Sequence, residues 1–281
     1  MSNRKESNRK ESNHKDTIIN SYWMDKSRFI GNIPQPAVVT IDNIHILSSE
    51  LPNVYIQVEP SVMYNPEDYL IQNHNKYHTI ITYNKKILDN CPNAKFYVFG
   101  TNWIDYKNIS TDRKTFKISN LAGANNYAPG HIFRQVLHHN QHLLKDYPIT
   151  FFRSTRQGPS ITDYGNNPLL SSEKKDELFE TFQFAIVIEN SKQINYFTEK
   201  IVDCVLSRTI PIYWGCPNIS DFFDTTGWII LDTTDVRELT QKLKLLNEDY
   251  YGLYKDTIEK NYTKAEGYSD FYENVSNAVK L

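Results

Sequence analysis

The sequence predicts an α/β fold built from two Rossmann-like lobes that face each other across a cleft, preceded by a disordered tail. Three observations lead to it. Short β-type runs alternate with helical or loop segments from Ile18 onward, the pattern of a parallel, doubly wound sheet. The alternation runs twice, with a break near residue 112. A chain of 281 residues, 40% hydrophobic and 13% aromatic, has enough apolar material for two small cores.

Residues 2–16 are three near-copies of one polar pentapeptide, Ser-Asn-Arg-Lys-Glu twice and then Ser-Asn-His-Lys-Asp. So short a repeat buries nothing, and 1–16 is expected to be a disordered, mildly basic tail. The first lobe is assigned to 17–111, with strands over 38–41, 54–58, 79–83 and 96–99 separated by Pro, Asn and Gly signals. The second lobe is assigned to 112–281 and opens near Phe116 and Ile118. After Pro129 and Gly130, the residues Ile132, Phe133, Val136, Leu137 and Leu144 fall at helical spacing, and a strand follows over 149–152. Next come a strand over 184–188, a helix over 198–207, and strands over 210–213 and 228–231. Residues 235–246 and two further segments read as surface helices that close the C-terminal side.

Charge and composition exclude several classes of function. A net charge of −2 has none of the basic footprint that drives binding to a nucleic-acid backbone. The polar N-terminus lacks the apolar core of a secretion signal, and no run of about 18 apolar residues follows. A cytoplasmic location without a membrane anchor is the expectation. Cys91, Cys204 and Cys216 are odd in number and widely spaced, which fits neither a disulfide framework nor a CxxC metal site.

The chemistry concentrates between Phe182 and Gly215. In a β-α-β unit, ligands bind beyond the carboxyl end of the strand, where the following helix offers unpaired N–H groups and partial positive charge. That crevice would hold Glu189, Asn190, Tyr196, Thr198, Glu199 and Lys200. Thr198 is the expected N-cap, which puts Lys200 in the first turn, where it opposes the helix dipole. A bound phosphate reverses that objection. Glu199 suits the dipole and has the acceptors for a ribose diol. An Asn-rich loop with a surface Glu/Lys pair is the plainer reading of the same residues.

The series Glu189-Asn190-Ser191, then Tyr196-Phe197-Thr198-Glu199-Lys200, then Ile210-Pro211-Ile212-Tyr213-Trp214-Gly215 resembles the donor-binding motif of the α-1,3-fucosyltransferase family, glycosyltransferase family 10. Weaker similarity includes Val58-Glu59-Pro60, the run from Phe99 to Trp103, and the segment with Gly130, His131 and Arg134, covering most of 45–232. The resemblance implies a GT-B fold with the acceptor on the N-terminal lobe and GDP-fucose on the C-terminal lobe. It implies that Lys200 and Arg134 contact the diphosphate, Glu199 and Tyr196 the ribose region, and Asn190 the nucleotide-sugar neighbourhood, with Arg153 and Arg156 competing for the phosphate. It places the family's catalytic glutamate near Glu59.

Physical reasoning points the same way. Departure of a nucleoside diphosphate leaves negative charge that fixed cations and a helix N-terminus can stabilise. The sequence has no D-x-D carboxylate pair, so no metal cofactor is expected at the donor. A sugar hydroxyl attacking an oxocarbenium-like centre needs a base on the face opposite the leaving group. Glu59, at a strand end facing the cleft, fits; Glu67 and Asp68 in the next loop are the fallback. One base and direct displacement make the reaction inverting.

His138 and His142, four apart, have a zinc-binding spacing, but residue 139 is His where a hydrolytic motif needs Glu, and a polar helix face is the better reading. Tyr213 and Trp214 read as core and cleft wall, and Trp103 as a possible sugar platform. The expected partners are a nucleotide-sugar donor and a glycan or small saccharide acceptor. Two alternatives stay open: a transferase of the same fold using another nucleotide sugar, and a non-catalytic glycan- or nucleotide-binding protein. Neither the acceptor nor the oligomeric state is legible.

Overall fold

The computed structural model describes residues 18–20, 28, 36–155 and 167–280, so the expected tail over 1–16 and Arg156 lie outside the described residues. Two parallel sheets organise the chain. The first runs in sequence order through β1 (Ile18–Asn20), β2 (Val38–Ile41), β3 (Asn53–Ile56), β4 (Thr79–Thr82) and β5 (Ala94–Phe96). All four residues of β2, β3 and β4 are buried, as expected for strands covered on both faces. Helices α1 (Glu67–Asn73) and α2 (Lys85–Asn90) cover one face through Leu70 and Ile87, packed with Tyr55, Tyr77 and Ile80. The expected strand over 96–99 is displaced: pairing ends at Phe96, and the three residues after it are irregular.

The second sheet consists of β6 (Thr115–Ala122), β7 (Ile149–Ser154), β8 (Leu169–Leu170), β9 (Phe182–Ile188), β10 (Ile210–Trp214) and β11 (Ile229–Ile230). Their spatial order is β11-β10-β9-β6-β7-β8. The chain therefore lays strands on one side of β6, then returns to lay the rest on the other side. The order reverses between β6 and β9, and a parallel α/β sheet opens a crevice at the carboxyl ends of the strands flanking such a reversal.

Helix α3 (Pro129–His139) and helix α4 (Glu199–Leu206) cover opposite faces of this sheet. Helix α5 (Val236–Leu243), capped by Asp235, and the short α6 (Tyr250–Leu253) lie on the α3 side, while α7 (Lys255–Glu266) packs Ala265 into the core on the α4 side. The helical pattern over 129–144 divides in two, because helix α3 ends at His139 and Gln141–Leu144 continues as a 3-10 turn. His138 is fully buried against Phe151 rather than on a polar face, and burial lowers its imidazole to about 4.

The last helix, α8 (Phe271–Lys280), is a further departure from expectation. It does not close the C-terminal side. Phe271, Val275 and Ala278 cross back to pack with Val39, Ile56, Ile81 and Phe99 on the open face of the first sheet. The first lobe thus borrows its second layer from the end of the chain. Among the described residues, no helix is long and apolar enough to cross a membrane.

Helix α3 docks end-on against β9. The Gly130 amide donates to Asn190 O at 3.0 Å, and a Cβ on Gly130 would lie 1.7 Å from Glu189 O. Only glycine permits that approach. Two predictions follow from this packing. Gly130→Ala should push α3 off the sheet and cost about 2 kcal/mol or more in urea denaturation. Phe271→Ala, emptying a site only 3% exposed, should cost about 3 kcal/mol. A loss below about 1 kcal/mol there would show that α8 does not anchor the first lobe.

Candidate active site

A cavity of about 640 Å³ opens at the reversal of strand order, between the carboxyl ends of β3, β6 and β9. Glu59, Arg134, Asn190, Tyr196, Thr198, Glu199 and Lys200 all line it. Glu59 comes from the first lobe and the others from the second, so the cavity is a cleft between lobes. Glu189, named with them from the sequence, does not line it. The side chain turns inward and is fully buried.

Glu189 nevertheless organises the site. Its two carboxylate oxygens accept from the Thr198 amide at 3.0 Å and the Thr198 hydroxyl at 2.7 Å. Thr198, in extended conformation, caps α4 by accepting the Lys200 amide on its own hydroxyl at 3.3 Å. The Lys200 ammonium then lies 3.0 Å from both Thr198 Oγ1 and Glu199 Oε1, and 3.9 Å from Glu189. Burial pulls this ammonium down, but the Glu199 and Glu189 charges outweigh it and the net shift is upward. Lys200 is a fixed cation. Burial pushes Glu199 up, yet Lys200 and Lys175 reverse the shift and hold it ionised. Burial keeps Glu189 above the usual carboxylate range despite Lys200.

Arg134 reaches the same wall from α3. Its guanidinium donates to Ile188 O and, at 3.0 Å, to Asn190 Oδ1. Burial lowers its affinity for the proton, but an arginine remains a cation at any working pH. His131, one turn earlier, has no role assigned by the sequence alone. Its Nδ1 accepts the Ala128 amide at 3.3 Å, and burial, with Arg134 and Lys200 nearby, lowers its imidazole to about 4. The ring is therefore neutral, and with Nδ1 accepting, its proton sits on Nε2.

Glu59 follows β3 and is partly buried. Burial raises its carboxyl, Lys200 opposes the rise and Glu199 adds to it. The fallback carboxylates are engaged elsewhere: Glu67 accepts from Ser61 Oγ at 2.8 Å and Asn84 Nδ2 at 2.7 Å, and Asp68 pairs with Lys86 at 2.9 Å. Neither lines the cavity, nor does Arg153.

Sequence reasoning missed Lys175. It lines the cavity with its ammonium 2.7 Å from the fully buried Asp203 and 4.5 Å from the centroid of the Trp103 ring. Asp203 also accepts the Trp103 amide at 2.9 Å. A lysine on a 3-10 turn, an aspartate inside α4 and a tryptophan of the first lobe carry no shared spacing that a sequence would reveal.

The chain is similar to several known proteins. Residues 141–265 match the family model described as glycosyltransferase family 10 (fucosyltransferase) C-term. An α-(1,3)-fucosyltransferase of Helicobacter pylori is 32% identical over 104 residues, a match spanning 36% of this chain and only 22% of that protein. A crystal structure of an α1,3-fucosyltransferase with GDP superimposes with a TM-score of 0.54 at 16% identity, covering 94% of this chain and 86% of that one. A mutant S. aureus TarM solved with UDP gives 0.57 at 13% identity, covering 87% and 55%. At such identities the structural likeness is one of fold, the two-lobed GT-B architecture. Over residues 141–265, therefore, the chain carries a segment that matches the C-terminal domain of glycosyltransferase family 10 (fucosyltransferase).

Proposed function

We propose that the chain is an inverting glycosyltransferase that moves fucose from GDP-β-L-fucose to a hydroxyl of a glycan acceptor, with an α-1,3-type linkage. One observation carries the reading: Glu59 from the first lobe and the cations Lys200 and Arg134 from the second line one cavity. An inverting transfer needs a base on one side of the anomeric carbon and stabilised negative charge on the other.

In this reading the diphosphate lies against Lys200, Arg134 and the N-terminal turn of α4, and the ribose region lies near Glu199 and Tyr196. Glu189 holds Thr198 from behind and touches no substrate. The acceptor hydroxyl gives its proton to the Glu59 carboxylate as its oxygen bonds to the anomeric carbon. The bond from that carbon to the β-phosphate oxygen breaks on the opposite face, GDP departs with the electron pair, and a β-linked donor yields an α-linked product. Two side-chain cations with the helix terminus supply the charge that a metal would otherwise bring, so donor binding without a metal is part of the proposal.

The test is product formation from GDP-fucose with a panel of saccharide acceptors, with and without EDTA, against UDP-sugars as competitors. The likeness to a GT-B protein solved with UDP is what favours the rival donor. Turnover of a UDP-sugar but not GDP-fucose would assign that rival, and turnover of neither would leave a binding protein.

Lys200→Ala should weaken GDP binding roughly 10- to 100-fold, the worth of a charge-assisted contact; unchanged affinity in calorimetry removes Lys200 from the phosphate. Glu59→Gln should leave GDP affinity within about twofold and lower turnover by a factor of roughly 10² or more. The base works ionised, and burial raises its carboxyl. Turnover should therefore hold at high pH and fall, as pH drops, at a higher pH than an exposed glutamate would give. A rate flat down to the ordinary glutamate range would move the base elsewhere.

A further inference from the structure

The main chain of Glu59 is gripped on both sides. Asp42, just past β2, adopts φ 47°, a left-handed conformation uncommon for a residue with a Cβ. Its amide donates to Ile56 O at 3.0 Å, so the turn begins where the β2–β3 ladder ends. The turn aims its carboxylate along the end of β3. Oδ1 accepts the Val58 amide and Oδ2 the Glu59 amide, both at 2.9 Å. From the far side, the Tyr83 hydroxyl donates to Glu59 O at 2.8 Å. Pro60 then fixes the next φ.

Neither Asp42 nor Tyr83 lines the cavity. The carboxylate is also held here at a cost: burial raises it to about 7 against the pull of the two amides, and the Glu59 charge adds to the rise. A strand end with no further duty has no need of two carboxylates brought together or of a strained turn to bring them.

We infer that Asp42 and Tyr83 are positioning residues, a main-chain clamp that sets the direction in which the Glu59 carboxylate enters the cleft. The inference rests on Glu59 being the base. Carboxylate is the group that can accept from two amides at once in this geometry; an asparagine would turn an NH₂ group toward one of them. Tyr83 also packs on Tyr196, with ring centroids 5.3 Å apart, so the clamp leans on the donor wall.

The test is a double-mutant cycle read as kcat and KM with GDP-fucose, with GDP affinity and thermal unfolding alongside. Asp42→Asn should lower kcat at least tenfold while KM for GDP-fucose and the affinity for GDP stay within twofold. In the Glu59→Gln background the same substitution should change the residual kcat less than twofold, because its effect passes through Glu59. Equal losses in both backgrounds, or a folded Asp42→Asn with wild-type kcat, would overturn the clamp. If Asp42→Asn does not fold, Tyr83→Phe keeps the ring and removes only the hydroxyl; it must show the same selective loss of kcat and the same silence in the Glu59→Gln background. The two readings fail differently. A fully active Glu59→Gln ends both, whereas an inactive Glu59→Gln beside a fully active Asp42→Asn ends the clamp alone.

Discussion

A carboxylate buried beneath the cleft governs one of its walls. Glu189 directly follows β9 with no exposure, and both its oxygens hold Thr198. An isolated charge there would cost several kcal/mol, and the arrangement offsets it with two hydrogen bonds and an ammonium 3.9 Å away. The result is a fixed Thr198, and through its hydroxyl a fixed first turn of α4. Gly215 allows this: a Cβ there would come within 2.6 Å of the Glu189 side chain. Lys200 is thereby fixed along that wall, its ammonium held by Thr198 and Glu199.

The same loop braces the two lobes. Gln193 Oε1 accepts the Ser61 amide at 3.2 Å, its Nε2 meets Ser61 Oγ at 3.1 Å, and Asn195 Nδ2 donates to Tyr83 O at 3.3 Å. Asn195 adopts φ 61° to make the turn, and Asn218 steadies it by accepting its amide at 2.9 Å. The segment between β9 and α4 therefore touches the stretch that follows Glu59. With α8 seated on the first sheet, the lobes are joined at the cleft and at the chain terminus.

How much was legible depended on whether the signal was local. Thr198 as N-cap and the strands on either side of α4 were read correctly, because capping and strand alternation act over a few residues. The helix over 129–144 was read as one element because Leu144 keeps the apolar spacing, yet the helix turns at Asn140 and Leu144 reaches the core from a 3-10 turn. Residue type alone puts His138 on a polar face, but it lies on the inner face of α3, buried against Phe151. The apolar stripe of α8 is plain in the sequence; which sheet it covers is not, since either lobe offers an apolar face.

By itself the sequence determined the class of the fold, the family motif, and seven of the eight nominated residues that meet in one cavity. The fold class and the crevice from Glu189 to Lys200 follow from short-range rules, strand and helix periodicity and a cap, whereas Arg134 rests on the family resemblance and Glu59 on that resemblance with its place at a strand end. Only the tertiary structure decided that Glu189 faces inward as a support, that Lys175 and Asp203 back the wall under Trp103, that Asp42 grips the turn carrying Glu59, and that the last helix returns to the first lobe. Each of these depends on where side chains distant in sequence point once the sheets are packed, and no local pattern encodes that direction.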